Sequence, residues 1–175
     1  MMYSLTKGYR RANLWLDQVP PADFAASSLV KRVMTPKRVV TASHRIAAIE
    51  LSGPPGPSSY ALLGGELVES DVCGLEVVIS VNPEGARFKS SLVAIGDDVL
   101  VGLDDEYVLG VMAGIERVNQ LSGLPSGASL RFRWAAHGSV GSSNMIFTKA
   151  SSLVVQLLTL RKDAPEKKMT EIVFG

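Results

Sequence analysis

The chain has 175 residues, of which 46% are hydrophobic and 20% charged, the composition of one globular domain or a domain with an arm, so wholesale disorder is excluded. Its one cysteine, Cys73, cannot close an internal disulfide, and two histidines argue against a zinc cluster; neither metal nor cofactor is expected. Eighteen Lys+Arg against 17 Asp+Glu leave a net charge of +1, which speaks against a generic polyanion binder.

The total conceals a pattern. Residues 1–45 carry eight Lys/Arg and two Asp, residues 46–130 three Lys/Arg and twelve Asp/Glu, and residues 131–175 seven Lys/Arg and three Asp/Glu. Basic ends thus surround an acidic middle. That arrangement suits an RNA-facing surface, complementary contacts in a homo-oligomer, or ends that simply fold onto the middle. No segment has the roughly 18 to 20 uncharged apolar residues of a membrane helix, and Met1 to Asp17 lacks the apolar run of a signal peptide. A cytoplasmic protein with no membrane partner is expected.

Pro20-Pro21 marks a break, after which Ala22, Ala26, Leu29, Val30 and Val33 recur at helical spacing and predict a helix stopped by Met34-Thr35-Pro36. Arg38 to Thr41 and His44 to Leu51 read as short strands, the second placing Ala47, Ile49 and Leu51 on one face. Ser52 to Ser59 (SGPPGPSS) is the clearest loop, separating a basic N-terminal extension, residues 1–52, from a main domain over residues 60–162, with a tail at 163–175.

From Gly74, Leu75, Val77, Ile79 and Val81 alternate with Glu76, Val78, Ser80 and Asn82, the period of a strand with one buried face. Pro83-Glu84-Gly85 turns the chain, and Ala86 to Val93 returns as the second strand of a hairpin. Asp104-Asp105-Glu106 opens a helix with the core stripe Val108, Val111, Ile115 and Val118, stopped at Gly123. Leu130 to Ala136 is a strand with Leu130, Phe132 and Trp134 on one face and Arg131 and Arg133 on the other. Ser142 or Ser143 caps a helix with the stripe Ile146, Ala150, Leu153, Val154 and Leu157. Met169 to Phe174 reads as a short edge strand or a mobile end. The order strand, strand, helix, strand, helix predicts an α+β two-layer sandwich: a small, mostly antiparallel sheet, two helices packed on one face, and the other face open.

Three groups of residues carry chemistry. Arg87, Lys89, Arg131 and Arg133 project from the open sheet face on this reading and could contact RNA phosphates or another partner; a merely solvated face is the alternative. His137 and Ser139 are candidate catalytic residues, a base beside a hydroxyl, lacking an evident carboxylate to orient the ring. Asp97-Asp98 and Asp104-Asp105-Glu106 offer oxygen ligands for a hard cation, but read better as a turn and a helix start, so no metal is assigned. No GxxxxGK[ST] is present, so the chain is not itself a GTPase.

Two segments resemble a known family. Glu106-Tyr107-Val108 with Val111, Gly114 and Ile115 resembles the first long helix of domain IV of elongation factor G, and Ser142-Ser143-Asn144-Met145-Ile146-Phe147 with Ala150 resembles that family's Ser-Ser-Glu-Met-Ala-Phe helix start. The likeness covers roughly residues 74–160 and implies the ribosomal protein S5 domain 2-like fold, with its left-handed helical crossover, and RNA or a ribosomal particle as partner. Gly138-Ser139-Val140-Gly141 stands where the family's tip loop carries an acidic His-Asp-Val-Asp run, with His137 one place earlier. Glu69-Ser70-Asp71-Val72 replaces a glycine- and arginine-rich loop, and Asp104 replaces a proline. The scaffold is therefore expected without the tip chemistry of translocation. The run Gly138 to Ser143 also resembles the phosphate loop of small-molecule kinases of the same fold, which would make Gly138, Gly141, Ser142 and Ser143 an anion or ligand loop. The competing expectation is accordingly an enzyme acting on a phosphorylated or one-carbon substrate, although the histidine region of the formaldehyde-activating enzymes has no match at His44.

Overall fold

A computed structural model describes residues 1–93 and 96–175. The strands are β1 (Met2–Lys7), β2 (Arg10–Leu16), β3 (Ser28–Met34), β4 (Ile46–Ser52), β5 (Tyr60–Glu69), β6 (Leu75–Val81), β7 (Val99–Val101) and β8 (Ala128–Gly138). The helices are α1 (Val108–Leu121), entered through a 3-10 turn at Asp105–Tyr107, α2 (Asn144–Thr159) and α3 (Glu166–Phe174). All eight strands form one sheet in the order β1-β2-β4-β5-β8-β6-β3, with β7 paired to β8. Only β6 and β8 run parallel; the other pairings are antiparallel. The class is α+β, as expected, with a sheet much larger than the small one predicted. Pairing of β4 with β5 carries the sheet directly across Ser52–Ser59 into the N-terminal strands.

Alternation explains the strands on the helical side. Ala47, Ile49 and Leu51 of β4 and Leu75, Val77, Ile79 and Val81 of β6 all enter the main core with the helices, as their spacing requires. The α1 and α2 stripes face that core too, and the two helices run parallel in close contact. Contact is close because α1 carries Gly110 and Gly114 on its α2 side: Gly110 N donates to Asn144 Oδ1 at 2.8 Å, and Thr148 Oγ1 donates to Gly110 O at 3.0 Å. Asp104 Oδ1 accepts from Glu106 N at the entry to α1, and Ser143 Oγ accepts from Ile146 N at the entry to α2, so both acidic and serine caps behave as read.

The other sheet face is half covered, which the alternation had not suggested. Trp15, Ala48, Tyr60, Leu62 and Ala136 form a second core there, closed by loop residues such as Ala22 and Phe88. A register shift at Gly64/Gly65 leaves Arg133 without a backbone register partner in β5, the mark of a β-bulge. Leu130 and Phe132 consequently face the helices, whereas Trp134 turns to the second face, where its Nε1–H donates to Asp23 Oδ1 at 2.6 Å. An ideal Cβ on Gly64 would lie 2.9 Å from Ala48 Cβ and 3.2 Å from Trp134 Cβ, so a glycine is what lets the indole lie there. The expectation that Trp134 shares a face with Leu130 and Phe132 is corrected by that bulge.

Four further expectations are corrected. The helix predicted after Pro20-Pro21 is strand β3, with Leu29 and Val33 exposed at a sheet edge rather than buried on a stripe. Arg38 to Thr41 forms only a single bridge, Val39 to Leu124. Ala86 to Val93 makes no strand and no hairpin with β6, whose partners are β3 and β8; Arg87 bridges singly to Leu100. Met169 to Phe174 belongs to helix α3, burying Met169, Val173 and Phe174. Strands β1, β2, β5 and β7 correspond to no sequence prediction. Among the described residues no helix is long and apolar enough to cross a membrane.

Candidate functional site

The loop after β8 was expected to receive an anion, and it holds one supplied by the chain itself. Asp97 Oδ1 accepts from Ser139 Oγ (2.9 Å) and Val140 N (3.1 Å), and its Oδ2 accepts from Gly141 N (2.8 Å). Ser142 Oγ accepts from Gly138 N and donates to Tyr60 O, while Ser143 Oγ lies 2.7 Å from Ser58 Oγ and caps α2. These donors are thus spent inside the protein. An incoming phosphate would have to displace one carboxylate, Asp97, and meet another, Asp98, in the same hollow.

His137 and Ser139 are not brought together by a hydrogen bond. His137 is buried, with Nδ1 2.9 Å from Gly102 O and its ring tilted against Tyr107, while Ser139 is engaged by Asp97. The second histidine, His44, is buried with Nδ1 2.8 Å from Asp17 Oδ2 and with Nε2 unpartnered. Asp17 itself has a positive φ of 52° and also accepts from Arg45 N at 2.8 Å. Burial alone would raise the Asp17 pKa, but the hydrogen bonds from His44 and the Arg45 N–H outweigh it and bring it down to about 2.

The four candidate cations divide into two pairs. Arg131 and Arg133 border a hollow of about 240 Å³ on the uncovered part of the sheet, together with Lys31 of β3. Arg133 pairs there with Glu66 at 2.9 Å, and its guanidinium lies 5.5 Å from the Trp134 ring centroid. Arg87 and Lys89 lie instead on the 83–93 segment, where Arg87 pairs with Asp98. Their separation follows from the missing hairpin.

Two constellations have no counterpart in the sequence reading. The first is Glu50, 1% exposed on the second face of β4. It accepts from Tyr60 Oη (2.8 Å), Asn13 Nδ2 (2.9 Å) and Leu92 N (3.1 Å). Burial pushes its carboxyl pKa above the usual range despite those donors, and burial with the nearby Glu50 charge pushes the Tyr60 hydroxyl pKa far up. Glu50 therefore ties the segment at Leu92 to the sheet.

The second is a groove of about 920 Å³ over the outer surface of α2. Arg117 and Leu121 of α1 border one side, and Ile172 and Phe174 of α3 with Arg10 of β2 border the other. Lys149, Ser152 and Gln156 of α2 form its polar floor, spaced along the flank of that helix beside the core-stripe residues Ile146 and Leu153. Its lining includes three cations, Arg10, Arg117 and Lys149, no Asp or Glu side chain, and Gly175, the last residue of the sequence. Among the described residues none of the three makes an ion pair. The Lys149 amine is held below the usual lysine range, first by burial and then by the positive charge of Arg10. Arg10 also lies over the Phe174 ring, 5.2 Å from its centroid. Sequence periodicity assigned the core side of α2 correctly, but Arg10, Arg117 and Lys149 are spread over three elements that only the fold brings together.

Comparison with protein-family models, curated proteins and solved structures finds no match for this chain.

Proposed function

We propose that this protein is a binding module whose groove over α2 holds an anionic ligand. The observation that carries the reading is the trio Arg10, Arg117 and Lys149 around one cavity without a carboxylate side chain or an ion pair. Arg10 and Lys149, like charges near each other and partly desolvated, raise the free energy of the empty site, and an anion relieves that cost. A cavity of about 920 Å³ is also of the size that encloses a small-molecule ligand. The scaffold we assign is the elongation-factor-domain-IV-like, ribosomal protein S5 domain 2-like one. In support, parallel β6 and β8 are joined through α1, and α2 follows β8.

RNA binding on the sheet face is the second reading, favoured by Lys31 and Arg131 beside one hollow. It has less support, since Arg133 is already paired with Glu66, and Arg87 and Lys89 lie elsewhere. An enzyme using Gly138 to Ser143 has less again, because Asp97 takes that loop's donors.

Calorimetric titration with inorganic phosphate and pyrophosphate tests the proposal. Saturable binding is expected to disappear in the double variant Arg10→Gln/Lys149→Gln and to survive Lys31→Gln/Arg131→Gln. The converse pattern transfers the function to the sheet face. Absence of binding, or binding that neither pair affects, refutes the groove.

A further inference from the structure

The groove is more than a charged patch. Apolar side chains line it from three helices: Val118 and Leu121, Ile146 and Leu153, Ile172 and Phe174. At its rim Leu121 is 77% exposed and Met145 74%, although both border a cavity that could shelter them. A bare phosphate would answer the cations and leave Leu121 and Met145 in water. A long apolar ligand without a head group would cover the surface and leave Arg10 and Lys149 facing each other in a still drier site.

An RNA strand would bring one charge per nucleotide to only three cations. It would find Phe174 as the ring in the lining, with Arg10 already over it.

Resting on the anion-binding reading above, we propose that the ligand is a free single-chain anionic amphiphile, an alkyl chain ending in a carboxylate or phosphate. Arg10 and Lys149 receive the head group, and Leu121 and Met145 receive the chain beside the largely buried Val118, Ile146 and Leu153. Burial of each added methylene contributes about 0.8 kcal/mol, so two of them tighten binding roughly tenfold.

The test is a calorimetric series of n-alkyl phosphates and n-alkyl carboxylates from four to twelve carbons, below their micellar concentrations, with inorganic phosphate and the matching alkyl alcohols as controls. Affinity is expected to rise about tenfold per two methylenes in both acid series. Arg10→Gln/Lys149→Gln is expected to reduce the acids to the affinity of the alcohols, and Leu121→Ser to weaken long chains while leaving inorganic phosphate unchanged. Equal affinity for inorganic phosphate and dodecyl phosphate overturns the amphiphile and leaves the anion site standing. No binding of any anion overturns both. Sedimentation with phosphatidylglycerol vesicles, without uptake of monomeric amphiphile, assigns the charge to a lipid surface and overturns the proposal, as does tight RNA binding abolished by the same double variant.

Discussion

The contact of α1 with α2 makes Gly114 the most informative position to perturb. An ideal Cβ there would collide with Ser151 Oγ and the Thr148 carbonyl oxygen and would lie 2.9 Å from Ser152 N. Two of those three atoms are α2 backbone and cannot rotate aside, so Gly114→Ala forces the helices apart. Overpacking costs about 1–3 kcal/mol in general, and rigid obstacles place this site near the upper end, about 3 kcal/mol. Alanine's better helix propensity returns about 1 kcal/mol. The net loss is about 2 kcal/mol, which for a chain of this size lowers Tm by roughly 4–8 °C. Circular dichroism melts and urea titrations of wild type, Gly114→Ala and the control Gly53→Ala measure it. Gly53 has nothing within 4 Å of its ideal Cβ, and its variant is expected to stay within about 0.5 kcal/mol of wild type. Ser151→Ala in the Gly114→Ala background removes one obstruction and is expected to recover part of the loss. A Gly114→Ala protein as stable as wild type, or more so, would refute the close parallel packing.

Other perturbations follow from the polar network. Glu50→Ala strands the Tyr60 hydroxyl, the Asn13 amide and the Leu92 N–H, and is expected to cost about 3 kcal/mol in a denaturant titration. Because the folded-state pKa of Glu50 lies above its ordinary value, this group's contribution falls as pH rises from the ordinary carboxylate range to the raised value; Glu50→Gln is expected to flatten the stability curve there. Asp17 has the opposite sign. Its contribution is present above about pH 4 and lost as pH falls toward 2, an amount that solvent screening of this partly exposed group keeps below about 1 kcal/mol, and Asp17→Asn is expected to remove that acid-limb dependence. Asp97→Ala frees the Ser139, Val140 and Gly141 donors, so amide hydrogen exchange at Val140 and Gly141 is expected to quicken by at least tenfold, with unchanged exchange showing that the carboxylate does not hold the loop.

What could be read from the sequence depended on whether one local period settled the outcome. Leu75 to Val81, Val108 to Val118 and Ile146 to Leu157 each bury the face their spacing predicts, and of the two serines read as alternative caps Ser143 is the one used. Segment 22–33 failed because its apolar residues fit a helical stripe, while the pairing of Ser28–Met34 with all of β6 decided the matter at long range. Trp134 failed because a bulge resets the alternation after Phe132, a change no period-two count contains. Glu50 was overlooked since a charged residue opposite a core face reads as solvated until the second core covers it. The candidate sites fared similarly. Each loop serine and glycine was locally legible, but Asp97 as their occupant, and Arg10 beside Lys149, are products of tertiary structure.

The Lys149 ε-ammonium offers the most direct check on the groove, because its charge state reports Arg10 and any bound anion at once. Nuclear magnetic resonance of its labelled side chain across pH, with and without saturating pyrophosphate, is expected to give a pKa below ordinary lysine in the free protein and a clear rise on adding the anion. A titration that is the same in both conditions, while that of Lys31 responds instead, would contradict anion binding over α2.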